Sequence, residues 1–231
     1  MKFEERSYSG RLFRPMPEVH IEDDGSLGVI ATPWGNRQAA KKVIEILRDY
    51  VLSARQDLEA TSPFQILTCL SPLANSIRAA MMLSNDSLYR EENRVEHSVG
   101  VEVLVFAHQL GELAFAQVGH PSLFLARSRL PWLPLAVQLD LATELSPPPE
   151  MLPPLPHNLI GVHTTTNMNI SSVKTQPGDK LILLSHSVIS ASLFSMPGDQ
   201  TGIDSISEVL SQAYPDLPFW LGLLDPTKTE P

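Results

Sequence analysis

Between Gly100 and Arg127 the chain runs GVEVLVFA, a turn at His108 to Gly111, ELAFAQVG, a turn at His120-Pro121, and SLFLAR. Three apolar segments of strand length thus follow one another with no room for a helix between them, and connections of a few residues join antiparallel neighbours. The spacing predicts an antiparallel meander. Upstream the period is different. After Gly35-Asn36, Ala39, Val43, Leu47, Tyr50, Ala54 and Leu58 keep helical spacing and predict a long amphipathic helix from about Arg37 to Glu59. After Ser71-Pro72, Leu73, Ile77, Ala80, Met81, Ser84 and Leu88 predict a second helix whose methionines fill core gaps.

Before the helices, EVHIEDDGSLGVIAT reads as a hairpin: Val19 and Ile21 on one strand, a turn at Asp23-Asp24-Gly25, and Leu27, Val29 and Ile30 on the other. The acidic pair is assigned to turn chemistry. Downstream, Pro147 to Pro149, Pro153-Pro154 and Pro156 lack the N–H donors a sheet needs, so about 146–157 is expected to be a Pro-rich surface loop. Strands resume at NISSVKT and DKLILLS, a short helix is expected from Ile203 to Tyr214, and an apolar strand runs from about Phe219 to Leu224, with Trp220 in the core. Helices set between groups of antiparallel strands predict an α+β fold: two antiparallel β-sheets packed face to face with helices on the outside. At 231 residues and 43% hydrophobic content, one core suffices, and residues 1–231 are expected to form a single domain.

The charge balance narrows the functions open to the chain. With 17 basic against 26 acidic residues and a net charge of -9, no basic face can displace the counterions of a nucleic acid. The charged start MKFEERSYSG has no signal-peptide core, and no apolar run approaches the ~20 residues of a membrane span, so a cytoplasmic protein is expected. The single cysteine, Cys69, excludes an internal disulfide and a thiolate metal site.

Chemistry is carried at strand tips. In PGDKLILLSHS, Pro177 to Ser187, a Gly-Asp turn delivers an apolar strand to Ser185, His186 and Ser187. Side chains alternate along a strand, so Ser185 and His186 point apart and do not make a nucleophile and base pair. ATPWGN, Ala31 to Asn36, and VGHPS, Val118 to Ser122, likewise end without a carboxylate.

The order of elements and the residues at these turns resemble the metal-dependent protein phosphatases of the protein phosphatase 2C type, including their bacterial serine phosphatase branch, from about Arg14 to Leu224. RPMPEV is similar to the opening box, in which an Arg is followed four residues later by a Glu-Asp pair. ATPWGN stands where the family has Ala-Asp-Gly-Met-Gly-Gly, and FAQVGHPSLFLAR resembles the strand-turn-strand carrying Val-Gly-Asp-Ser-Arg or, in the bacterial branch, Ala-Gly-His-Pro. VKTQPGDKLILLSHS resembles the segment Pro-Gly-Asp, apolar strand, Ser-Asp-Gly, and DLPFWLGLLD takes the place of the last strand, which begins Asp-Asn-x-Thr. The resemblance implies a site where two Mg²⁺ or Mn²⁺ ions activate a hydroxide for attack on phosphorus. It gives Arg14 the phosphate-binding role, Glu18 that of an outer metal-associated carboxylate, and Asp216 that of the last metal ligand. It also implies losses: Thr32 replaces the metal-bridging Asp, Pro33 its Gly, Val19 the second acid of the opening box, His120 the Gly-Asp acid and His186 the Asp before Gly.

Two dications ~4 Å apart repel by roughly 16 kcal/mol at an effective dielectric of ~20, and a neutral Thr32 hydroxyl does not offset that. The expectation is therefore a pseudophosphatase: no catalytic residues, no metal cofactor, and action by binding a protein partner, a phosphoprotein or a kinase, with Arg14 available to a phosphoryl group. The alternative is an active serine/threonine phosphatase using Mn²⁺ or Mg²⁺ at an atypical, His-containing site. A rival set, His120, His186 and Asp216, has the donor types for Zn²⁺ or Fe²⁺, Glu18 remaining a candidate metal residue through the resemblance alone. The other histidines, His20, His97, His108, His157 and His163, show no ligand spacing.

Overall fold

The computed structural model describes residues 2–56, 63–145 and 152–225. In chain order its elements are β1 (Lys2–Tyr8), β2 (Glu18–Ile21), β3 (Leu27–Trp34), α1 (Arg37–Gln56), α2 (Pro72–Leu88), β4 (Gly100–Gln109), β5 (Glu112–Val118) and β6 (Ser122–Ala126). There follow β7 (Leu133–Ala136), α3 (Leu141–Leu145), β8 (Asn169–Lys174), β9 (Lys180–Ser185), α4 (Ala191–Phe194), α5 (Ile203–Ala213) and β10 (Phe219–Asp225). Two five-stranded antiparallel sheets result, ordered β1-β10-β9-β6-β7 and β2-β3-β4-β5-β8. The chain divides into two compact units, each built on one sheet.

The unit of residues 17–118 and 158–175 holds the second sheet. The expected hairpin is β2 and β3, paired from Glu18↔Ala31 to Ile21↔Gly28. Asp24 accepts the Ser26 N–H at 2.8 Å and Gly25 takes φ 69, so the acidic pair does serve the turn. Both predicted helices form. Ser71 caps α2 by accepting the Ala74 N–H at 3.1 Å, with Pro72 in the first turn where its missing donor costs nothing. Val43 and Leu47 of α1 and Ile77, Met81 and Leu88 of α2 join Val29, Val103 and Ala116 in one core, which makes Met81 a core filler. The expected reach of α1 to Glu59 lies partly outside the described residues.

The unit of residues 1–16, 119–157 and 176–231 holds the first sheet. Its core joins Phe124, Ile182, Leu184 and Leu221 to Ile206 and Leu210 of α5. Trp220 is buried, as its sequence predicts. Residues 152–157 are loop, and 146–151 of the Pro-rich stretch lie outside the described residues.

The meander prediction fails at its third strand. β4 and β5 pair from Val103↔Val118 to Gln109↔Glu112, but β6 pairs with β7 and β9 in the other sheet. Gly119, at φ 71, leads the chain out of the first hairpin. Two strands escaped the sequence reading. β1 pairs along its whole length with β10 yet is mostly exposed, and its charged side chains hide the alternation that marks a strand. β7 carries Pro134, which argues against a strand unless it lies at an edge, and β7 is an edge.

Candidate functional site

Arg14, His120 and His186 come together in the first unit, around a residue the sequence reading missed, Asp140. The Arg14 side chain is 3% exposed and that of Asp140 is fully buried, with Nη2 3.6 Å from Oδ2. Asp140 also accepts the Ser187 hydroxyl at 2.7 Å, the Ala142 N–H at 3.0 Å and the Leu155 N–H at 2.7 Å. It thereby ties the segment before β2, the start of α3, the end of the Pro-rich loop and the segment after β9 to one carboxylate. The signal that could have revealed it is local: an Asp directly before LATEL is a helix-capping residue.

The two imidazoles are buried and held neutral. Burial pushes the His186 pKa down to about 4; the bond of Nδ1 with the Val188 backbone and the Asp140 charge oppose this, while the Arg14 charge adds to it. His120 is pushed well below its ordinary value, first by burial and then by the Arg14 charge. The His186 ring packs against Tyr214 and Phe219, and its Nε2 has no hydrogen-bond partner among the described residues. Asp216 is apart from this group: its exposed carboxylate lies 3.6 Å from Arg11 Nε. A cavity of about 130 Å³ is lined by Tyr8, Phe13, Arg14, Met16, Phe219 and Trp220 among others, and Phe13 is 78% exposed on it.

In the second unit, Thr32 of β3 stands opposite Glu102 of β4. Both are buried, and the Thr32 hydroxyl has no hydrogen-bond partner among the described residues. Glu102 accepts the indole N–H of Trp34 at 3.0 Å. Glu102 was also missed; a carboxylate inside the apolar run VEVLVFA is the signal, since a buried charge persists only with partners. Pro33 lies between Thr32 and Trp34 on β3, paired with Val101, and Val19 pairs with Ile30. Glu18 is bonded by the Arg37 guanidinium.

These residues do not fit a paired-metal centre. Thr32, expected from the resemblance to stand at a bridging position, carries a neutral hydroxyl, Glu18 and Asp216 face guanidinium groups, and His186 Nδ1 is bonded to the backbone. Among the described residues no three His, Cys, Asp or Glu side chains stand where they could hold one ion. Nor, among the described residues, is any helix long and apolar enough to cross a membrane.

Two antiparallel sheets with helices, α+β, are consistent with the fold of the PPM serine/threonine phosphatases, the protein phosphatase 2C type, to whose solved structures the chain is similar. Three solved structures carry the assignment. The PPM Ser-Thr phosphatase MsPP from Mycobacterium smegmatis, in complex with cacodylate, aligns at TM-score 0.66 and 15% identity over 97% of this chain and 98% of its own. The catalytic domain of PstP, in complex with two manganese ions, aligns at TM-score 0.60 and 16% identity over 96% of this chain and 97% of its own. PppA, a key regulatory component of T6SS in Pseudomonas aeruginosa, aligns at TM-score 0.60 and 15% identity over 96% of both chains. No family model matches the sequence, and no curated protein matches it. The resemblance read from the turn motifs is thus borne out as fold, and the α+β class with it.

Proposed function

We propose that this chain is a phosphatase-fold protein that has lost metal-dependent hydrolysis and acts by binding a protein partner. The observation that carries the reading is Thr32: where the resemblance calls for a metal-bridging carboxylate, a buried neutral hydroxyl faces a Glu102 already held by an indole. The His120 and His186 environments support it, because imidazoles depressed by burial and a nearby guanidinium do not replace two carboxylates as ligands for hard dications. Arg14 is read here as the anchor of the buried cluster, its charge balanced by Asp140, in place of the phosphate-binding role. The regulatory description given to PppA accords with a regulatory role for this chain as well. Exposed Phe13 and Met16 beside the cavity are the kind of surface a partner covers.

The test pairs a Mn²⁺-supplemented p-nitrophenyl phosphate assay with calorimetric titration of Mn²⁺ and Mg²⁺. No turnover and no saturable binding is the expected result. Turnover that disappears in both Glu18→Ala and Asp216→Ala overturns the reading in favour of an active phosphatase with an atypical site.

A further inference from the structure

The two edges of the first sheet are built differently. β1 carries Lys2, Glu4, Glu5 and Arg6, the charges by which exposed edges avoid pairing with other chains. At the opposite edge, the ten residues LPWLPLAVQL, Leu130 to Leu139, hold no charge at all. Leu130 is 52% exposed, Leu133 51%, Val137 39% and Leu139 58%. Exposed large apolar side chains in one short uncharged stretch mark a surface made to be covered.

The charges flanking the stretch indicate what covers it. Arg129 stands exposed at one end and Glu144 exposed at the other, and neither forms an ion pair among the described residues. A segment with a positive head and a negative tail is self-complementary when two copies run antiparallel about a two-fold axis. Arg129 of each copy then meets Glu144 of the other, and the pattern repeats by symmetry. A parallel arrangement would set like charges together. On these grounds we propose that two copies of this chain associate β7 to β7, antiparallel, with Leu130, Leu133, Val137 and Leu139 of each packed against the other. Pro134 has no N–H to offer a neighbouring strand, so apolar packing carries more of the contact than ladder hydrogen bonds.

Sedimentation velocity on the full chain across a wide concentration range tests this. The wild type is expected to pass from monomer to dimer. Leu133→Lys and, separately, Leu139→Lys are expected to stay monomeric at concentrations where the wild type is dimeric; both positions are exposed, so circular dichroism and thermal unfolding should be unchanged. Arg129→Glu should weaken the dimer about tenfold, as two symmetric exposed ion pairs are lost together. The double variant Arg129→Glu/Glu144→Arg should return to within a few-fold of the wild type. A wild type that is monomeric throughout, because this chain's own residues or a different protein cover the stretch, overturns the proposal. So does a dimer indifferent to Leu133→Lys and Leu139→Lys, or a double variant no tighter than Arg129→Glu alone.

Discussion

Asp140 is the residue on which the buried cluster of the first unit depends, and its removal should be felt across the whole fold. Its carboxylate is fully buried, accepts three hydrogen bonds, from Ala142, Leu155 and Ser187, and lies 3.6 Å from the Arg14 guanidinium, which is 3% exposed. Asp140→Ala leaves two backbone N–H groups without their acceptor and removes the balancing charge from a buried cation. Breaking a buried pair from one side costs about 3–5 kcal/mol, because the remaining charge has lost its compensation. Asp140→Asn keeps the shape and one acceptor oxygen, so it should cost less, roughly 2 kcal/mol. Ser187→Ala removes a single hydroxyl bond and should cost about 1 kcal/mol. For a chain of this size 1 kcal/mol moves the Tm by roughly 2–4 °C, which places Asp140→Ala on the order of 10 °C below the wild type. Urea unfolding followed by tryptophan fluorescence, with thermal unfolding by circular dichroism, measures the series. Pairing Asp140→Ala with Arg14→Met should recover part of the loss, since the uncompensated cation is then gone. Losses below about 1 kcal/mol for both Asp140→Ala and Asp140→Asn, or no recovery in the double variant, would refute the buried-pair argument.

Acidification should destabilise the protein before its carboxylates titrate. A His whose folded pKa is depressed binds fewer protons folded than unfolded, so its contribution is present above the unfolded value near 6.5 and is lost as pH falls towards the folded value, about 4 for His186. From pH 7.5 to pH 5 that amounts to about 2 kcal/mol from His186, with His120 acting in the same direction; urea midpoints should fall accordingly, and His186→Phe should flatten the dependence, whereas an unchanged slope would contradict it. In the second unit a Cβ at Gly28 would lie 2.2 Å from the ring of the fully buried Phe106 across the ladder. Gly28→Ala should therefore cost about 1–3 kcal/mol, and adding Phe106→Leu should return part of it; urea unfolding of the two variants decides.

What was legible in the sequence were the features with a strong period. α1 and α2, the β2–β3 hairpin and the apolar strands β4, β5, β9 and β10 announce themselves because their buried faces recur at 3.6 or at every residue. β1 was not legible, since an edge strand that guards itself with charge erases its own alternation. The exchange of β6 into the other sheet was not legible either, because a three-residue junction at Gly119 looks the same whether the next strand pairs with its predecessor or with a strand some sixty residues on. At the candidate site, position along the chain supplied only the expectation, carried by the resemblance, that Thr32, His120 and His186 stand in for carboxylates, whereas the partnership of Arg14 with Asp140 spans residues far apart in sequence and only tertiary structure brings them together.

The charge within the buried cluster bears directly on metal binding. Arg14 contributes one positive charge and Asp140 one negative charge, while His120 and His186 are neutral at pH 7, so the group sums to zero. A pocket that gathers dications has to hold excess negative charge before the ions arrive, and the Asp140 carboxylate is already spent on a guanidinium, a hydroxyl and two backbone N–H groups. On the proposed reading, gaining hydrolysis would require more than returning one acid. Thr32→Asp alone would set a second buried carboxylate directly across the ladder from Glu102, and like charges opposed in this way repel until a cation joins them. Substitutions at Thr32 and at His186 are coupled to the charges already present around them, so on the proposed reading a single acid returned to either position does not by itself build a metal site.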